Sequence, residues 1–337
     1  MGKETILNVE DLQTTFFTDN GEIPAVDHVS FNVKEGEVVG IVGESGCGKS
    51  VTSLSIMGLV PQPPGKIVGG KINLYDKNLL NLSERQMRKV RGKEIAMIFQ
   101  EPMTSLNPLF TIGSQMTEAV LIHEKISKKE AEKKSIEMLK LVGLPRAEEL
   151  MKEFPHQLSG GMRQRVMIAM ALVCDPQVLI ADEPTTALDV TTQAQILKLI
   201  KDLNTELNTA VLLITHDLGV VAESCERVIV MYAGQIIEEA PVDQLFEEPK
   251  HPYTQGLIKS VPDIRSKEER LHSIAGNVPL PGSVEKGCRF AARCKFAFDR
   301  CFAEDPEIYT TSDTQSARCF LYDKEGVGAD GKTPVKS

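Results

Sequence analysis

Gly43-Glu44-Ser45-Gly46-Cys47-Gly48-Lys49-Ser50 decides how this chain is read. The stretch fits the spacing G-x-x-x-x-G-K-[ST] and sits in the setting that spacing needs. Val38-Val39-Gly40-Ile41-Val42 leads in as a short apolar run of the kind a buried strand shows, and Ser50 to Met57 reads as the helix that follows. The glycines let the backbone curl so that successive N–H groups point at one anion, while the helix aims its positive end at the same place. Lys49 is placed to reach the β- and γ-phosphates of a nucleotide, and Ser50 to put its hydroxyl on Mg²⁺.

Further along, three apolar runs end in polar residues suited to phosphate chemistry. Glu94 to Phe99 delivers Gln100, Val178-Leu179-Ile180-Ala181 delivers Asp182-Glu183, and Ala210 to Ile214 delivers Thr215-His216-Asp217. In a doubly wound parallel sheet such strand ends gather beside the phosphate loop. Asp182 suits Mg²⁺ through its water shell, and Glu183 suits polarising an attacking water. A lone His after a strand is more often structural, yet His216 ends a third strand at the same sheet edge. Asp189 reads as the cap of a helix on which Ile196, Ile200, Leu203 and Leu207 keep helical spacing. Arg227 to Met231 reads as the last long strand, with Gln235 to Glu239 as a short edge hairpin.

Between Gln100 and about residue 165 the pattern turns helical. Glu101 to Pro108 is turn-rich and too polar for core, and helical spacing then runs from Gly113 to Val142, with a capping box at Ser127 and Glu130. Leu158-Ser159-Gly160-Gly161 ends this insert before another helix. A Ser-Gly-Gly turn opening a helix is either a second anion-binding geometry or an ordinary N-cap at Ser159. Upstream, Ile6 to Val9, Thr14 to Phe17 and Val29 to Val33 read as short strands, with Asp19-Asn20-Gly21 as a turn, and Gly69 to Tyr75 starts another strand. Phe16 or Phe17 could present an aromatic face to a purine. Phe16 is the better placed, although an aromatic in a strand is usually core.

The 337 residues suffice for a nucleotide-binding domain of about 230 to 250 residues plus a smaller module. A formal net charge of −9 argues against a nucleic-acid partner, which calls for a basic face. No apolar run approaches the roughly 18 residues needed to span a bilayer, and the start Met1-Gly2-Lys3-Glu4-Thr5-Ile6 carries no secretory or myristoylation signal. A cytoplasmic chain is expected, any membrane role coming through partner subunits.

Of 7 cysteines, Cys47, Cys174 and Cys225 are scattered, whereas Cys288, Cys294, Cys301 and Cys319 share one stretch. In a reducing compartment structural disulfides are not expected. Four clustered thiols are a ligand set by type, and their wide spacing, without a tight C-x-x-C pair, points to an iron–sulfur cluster rather than zinc. Unliganded reduced thiols are the third reading.

The phosphate loop, Gln100, Leu158-Ser159-Gly160-Gly161, Asp182-Glu183, Asp189 and His216 stand in an order that resembles the ATPase subunit of an ABC transporter, over residues 6 to about 240. Phe99 to Pro108, His251-Pro252-Tyr253-Thr254, Pro279-Leu280-Pro281 and the cysteine stretch narrow the resemblance to the oligopeptide/dipeptide importer branch. Ala181 to Asp189 is similar to the first of its two paralogous ATPases.

The resemblance implies an α/β fold: a phosphate-loop (RecA-like) ABC ATPase core with an antiparallel β subdomain and an inserted helical subdomain, plus a small cysteine-rich C-terminal module. Residues 1–240 would be the nucleotide-binding domain with its insert at about 101–165, residues 241–322 the module and 323–337 a disordered tail. Phe16, Gly43, Ser45, Gly46, Cys47, Gly48, Lys49, Ser50, Val51 and Asp189 would hold ATP. Ser159, Gly160 and Gly161 would reach the nucleotide on the facing subunit of a head-to-tail dimer. Glu183, His216 and Gln100 would carry the chemistry, and Ser50, Gln100 and Asp182 would hold Mg²⁺. A [4Fe-4S] cluster is implied at the four cysteines. One departure is Met162, where many relatives have Gln.

The implied partners are a second ABC ATPase subunit, a paralogue, two transmembrane permeases and, through them, an extracytoplasmic peptide-binding protein, with this chain peripheral on the cytoplasmic face of the membrane and no nucleic acid. Nickel or another small solute is the alternative cargo. A soluble ABC ATPase acting on DNA or ribosomes would call for a fused second domain, a coiled-coil insert or a basic surface. A pseudo-ATPase would lack one of Lys49, Asp182, Glu183 or His216, and all are present.

Overall fold

The structure, a computed structural model, describes residues 3–19, 21–100, 105–186, 188–260 and 274–323. The expected turn at Asn20, the stretch Glu101-Pro102-Met103-Thr104, Ala187 of the motif after β7, and the expected tail from residue 324 lie outside the described residues.

The strands in chain order are β1 (Thr5–Thr18), β2 (Gly21–Lys34), β3 (Val38–Val42), β4 (Gly65–Leu74), β5 (Lys77–Asn78), β6 (Ile95–Ile98), β7 (Val178–Asp182), β8 (Ala210–Thr215), β9 (Arg227–Tyr232), β10 (Gln235–Pro241), β11 (Tyr309–Ser312) and β12 (Gln315–Ala317). They form an eight-stranded sheet in the order β11-β12-β10-β9-β3-β8-β7-β6 and a four-stranded sheet in the order β2-β1-β4-β5. β9, β3, β8, β7 and β6 run parallel, so the C-terminal ends of β3, β6, β7 and β8 share one edge.

These parallel strands are apolar throughout because both faces are covered. Val38 and Val42 of β3, with Leu179, Ala181, Val211 and Leu213, enter a core shared with the helical insert. Val39 and Ile41, with Val178, Ile180, Leu212 and Ile214, enter the core beneath the four-stranded sheet. Arg227 fastens the two sheets: its guanidinium donates to Glu37 at 2.9 Å and to the Asn32 carbonyl at 2.7 Å, and also pairs with Glu239. The insert packs helices Ile112–His123, Lys128–Leu141 and Gly160–Leu172, and the capping box at Ser127 and Glu130 forms as expected.

Two expectations are corrected. The short strands expected before residue 34 are two long ones, β1 and β2, bent by register shifts where Asp11 and His28 take positive φ of 50° and 51°. Pairing along the whole hairpin carries the strands through polar stretches that fit no clean alternation. β10 is not an edge, because β12 pairs with it through Glu238 and Ala317. The boundary expected near residue 240 thus falls inside β10, and the C-terminal segment extends the main sheet.

Candidate functional site

The loop between β3 and the helix Lys49–Ile56 turns on two glycines that nothing larger could replace. A Cβ on Gly43 would lie 2.3 Å from the Met231 carbonyl oxygen, and one on Gly48, at φ 101°, 2.4 Å from the Ala25 carbonyl oxygen. Gly48 stands at the helix N-cap and offers no side-chain acceptor, so the first-turn N–H groups are left for another partner. Lys49 is 5% exposed, and its ammonium donates to the carbonyls of Gly43 at 2.7 Å and Glu44 at 3.1 Å. Among the described residues it pairs with no carboxylate. A buried cation held only by neutral groups, over free helix N–H groups, is a site for an anion.

The strand ends close around it. Ser50 Oγ donates to Asp182 Oδ1 at 3.1 Å, and Ser53 Oγ to Oδ2 at 3.5 Å. Burial raises the Asp182 pKa above the usual carboxylate range, the Ser50 bond opposes this, and the Glu183 charge adds to it. That environment suits a dication. Glu183 follows at φ 46°, a left-handed conformation rare for Glu. Its Oε1 meets His216 Nδ1 at 3.2 Å, while Oε2 accepts from Gln100 Nε2 and Thr186 Oγ1, both at 3.0 Å. Burial works against its charge, but the bonds from His216 and Thr186 outweigh it and keep the carboxylate ionised below its ordinary pKa. The structure therefore brings Lys49, Ser50, Asp182, Glu183, Gln100 and His216 together.

It does not bring Ser159, Gly160, Gly161 and Asp189 to that place. Ser159 Oγ accepts from the Met162 N–H at 3.3 Å as a helix N-cap, and Gly160 faces open space. These residues line a separate surface cleft of about 990 Å³, which Asp189 and Thr192 also border. Asp189 caps the helix Val190–Leu207 by accepting from the Thr192 N–H at 3.0 Å. Phe16 is half-buried in β1, opposite Ile23 and Gly65. Sequence reasoning missed Gln164, fully buried, whose amide donates to the Pro184 carbonyl just beyond Glu183 and so ties the insert to the site. It also passed over Thr186.

The four C-terminal cysteines are free and line one apolar cavity with Phe290, Phe298 and Phe320. Burial pushes the Cys288 thiol up to about 11 and Cys319 to about 12. The cavity holds about 20 Å³, room for roughly one water. Among the described residues no group of three or more His, Cys, Asp or Glu side chains is arranged to hold a metal ion. The iron–sulfur expectation at Cys288, Cys294, Cys301 and Cys319 thus finds the four thiols lining one cavity, with aromatic rings in the same wall, but no ligand geometry among the described residues.

A parallel sheet, a glycine loop entering a helix and a carboxylate pair at the adjacent strand ends define a phosphate-loop ATPase. The chain belongs to the ABC transporter ATP-binding proteins of the oligopeptide/dipeptide importer family. The ABC transporter family matches residues 26–186, and the oligopeptide/dipeptide transporter C-terminal region matches residues 237–301. The oligopeptide transport ATP-binding protein AppD of Bacillus subtilis is 57% identical, over 96% of this chain and 98% of that one. The dipeptide transport ATP-binding protein DppD of Escherichia coli is 48% identical, over 93% of this chain and 96% of that one. Among solved structures, the ATP-binding cassette MJ0796, a dimer in a post-hydrolysis state with ADP and Pi, superposes with a TM-score of 0.63 at 32% identity, over 70% of this chain and 98% of that one. Among the described residues no helix is long and apolar enough to cross a membrane.

Proposed function

We infer that this chain hydrolyses ATP to drive import of di- or oligopeptides through membrane permeases, working as one of two ATPase subunits. The observation that carries the hydrolytic half is the buried Lys49 ammonium, without a carboxylate partner among the described residues, beside the uncapped first turn of its helix. Mg²⁺, when bound, supplies charge to offset the phosphates. This chain's own residues do the rest. Lys49 and the loop N–H groups from Ser45 to Val51 hold the phosphates, with Gly43, Ser45, Gly46, Cys47 and Gly48 shaping the cradle and Phe16 stacking on the base. Ser50 and Asp182 would hold the dication. Glu183, ionised and held by Gln100, Thr186 and His216, accepts a hydrogen bond from the attacking water and orients it.

Ser159, Gly160 and Gly161 point into a cleft of their own, which supports a role on the nucleotide of a facing subunit. Asp189 at the same cleft belongs with that face. The peptide cargo follows from the relatives, which are named for oligopeptide and dipeptide transport. A peripheral place against permeases on the cytoplasmic side, and a paralogous partner ATPase, complete the reading.

Residues 241–322 form a cysteine-rich module in this proposal, with Cys288, Cys294, Cys301 and Cys319 acting as one unit. Their shared cavity supports it, and an iron–sulfur cluster is the ligand proposed, zinc the alternative.

The test is reconstitution with the permeases and binding protein of the same system in liposomes: peptide uptake that requires ATP and is abolished by Lys49→Ala is expected. ATP hydrolysis indifferent to permeases and peptide would overturn the transport reading.

A further inference from the structure

Glu44 of the phosphate loop is gripped from outside the loop by the C-terminal segment. Its backbone N–H donates to Tyr253 Oη at 2.9 Å, and its carboxylate accepts from both terminal nitrogens of Arg293, at 2.9 and 3.2 Å. The Arg293 side chain is only 7% exposed. It donates as well to Tyr232 Oη at 3.2 Å and to the carbonyls of Ala275 at 3.0 Å and Ile274 at 3.3 Å. The guanidinium lies 5.8 Å from the ring centres of both Tyr232 and Phe290. Tyr232, Tyr253 and Phe290 pack against one another with centroids 4.6 to 5.5 Å apart. The grip is therefore rigid: a planar fork fixed by four partners, on a wall of three rings.

The carbonyl of the same residue faces the reacting end. Lys49 Nζ donates to the Glu44 carbonyl at 3.1 Å, so one residue joins the grip to the ammonium that meets phosphate. An anion-binding loop binds more tightly when its N–H groups already point at the ligand. The bidentate pair and the tyrosine bond fix the side chain and the N–H of Glu44.

We propose that Arg293 and Tyr253 are positioning residues of the ATP site, through which the C-terminal segment holds the phosphate loop in its binding conformation. The proposal rests on the ATPase reading. It gives the His-Pro-Tyr stretch a task. Buried His251 caps the helix Pro252–Lys259 by accepting from the Tyr253 N–H at 3.0 Å, and Glu238 accepts from the His251 N–H at 2.8 Å, which sets Tyr253 against the loop.

A double-mutant cycle on the full chain tests it, with Mg-ATP binding measured by calorimetry and turnover measured at saturating ATP. Arg293→Ala and Glu44→Gln are each expected to weaken Mg-ATP binding about tenfold, and the double variant no further, as for residues joined in one network. The KM for ATP should rise while kcat at saturation changes less, and Arg293→Lys should recover part of the affinity, which simple loss of folding would not produce. Should Arg293→Ala prove protease-sensitive in residues 274–323, Glu44→Gln and Tyr253→Phe carry the test. Additive losses in the cycle, or unchanged affinity in Glu44→Gln and Tyr253→Phe, overturn the proposal while ATP binding by the unaltered chain stands. No ATP binding by the unaltered chain sinks the ATPase reading and this proposal with it.

Discussion

Gln100 Nε2 donates to Glu183 Oε2 at 3.0 Å across 83 positions of sequence. Gln100 stands where the chain leaves β6 for the helical insert, and Glu183 follows β7, paired in parallel with β6. A movement of the insert therefore bears on the carboxylate that orients water. Gln164, reaching Pro184 from the insert, is a second tie to the same turn.

Glu183→Gln should retain ATP binding and lower turnover by about 10² to 10⁴ fold, because the amide keeps the shape but not the charge that polarises water. Single-turnover hydrolysis by an assembly altered in both ATPase sites checks it. Wild-type rates there would remove Glu183 from its role.

Gln100→Ala should lower permease-stimulated hydrolysis by about tenfold, the scale of one lost bond to a charged group, and leave ATP affinity nearly unchanged. Equal stimulation of variant and parent would break the proposed link between insert and site.

His251 is fully buried, and burial lowers its pKa from 6.5 to about 3. In the unfolded chain the imidazole gains its proton near 6.5, while the folded chain refuses it until about 3. Stability is thus full above pH 6.5 and falls on acidification between those values, with a slope approaching about 1.4 kcal/mol per pH unit from this group. His251→Asn keeps an N-cap acceptor and should flatten the fall. Urea denaturation of both proteins from pH 7 to pH 4 measures the difference, and parallel curves would contradict it.

Cys288, Cys294, Cys301 and Cys319 should respond as one set. If they bind a complete cluster, anaerobically purified protein carries about four irons per chain, and any single Cys→Ser change releases them together. Stoichiometric zinc in a colourless protein would change the metal. Metal-free protein that still resists protease in residues 274–323 would end the ligand reading.

The phosphate loop, the capping box at Ser127, the cap at Asp189 and the apolar strands β3, β7 and β8 were legible in sequence because each rests on local interactions: glycine backbone, a side chain reaching its own helix, or a run buried on both faces. Adjacent strand ends also placed Asp182, Glu183 and His216 at one edge, since the parallel sheet dictates that edge once its strands are recognised. The sequence did not disclose which carboxylate oxygen each neighbour holds, that β12 closes the edge at β10, or that aromatic rings share one cavity wall with the four thiols. Nor could it pair Arg293 with Glu44, 249 positions apart. Those facts depend on which distant surfaces meet, and long-range pairing leaves no periodicity in the chain. Only the packing of the main strands, the insert and the C-terminal segment against one another decided them.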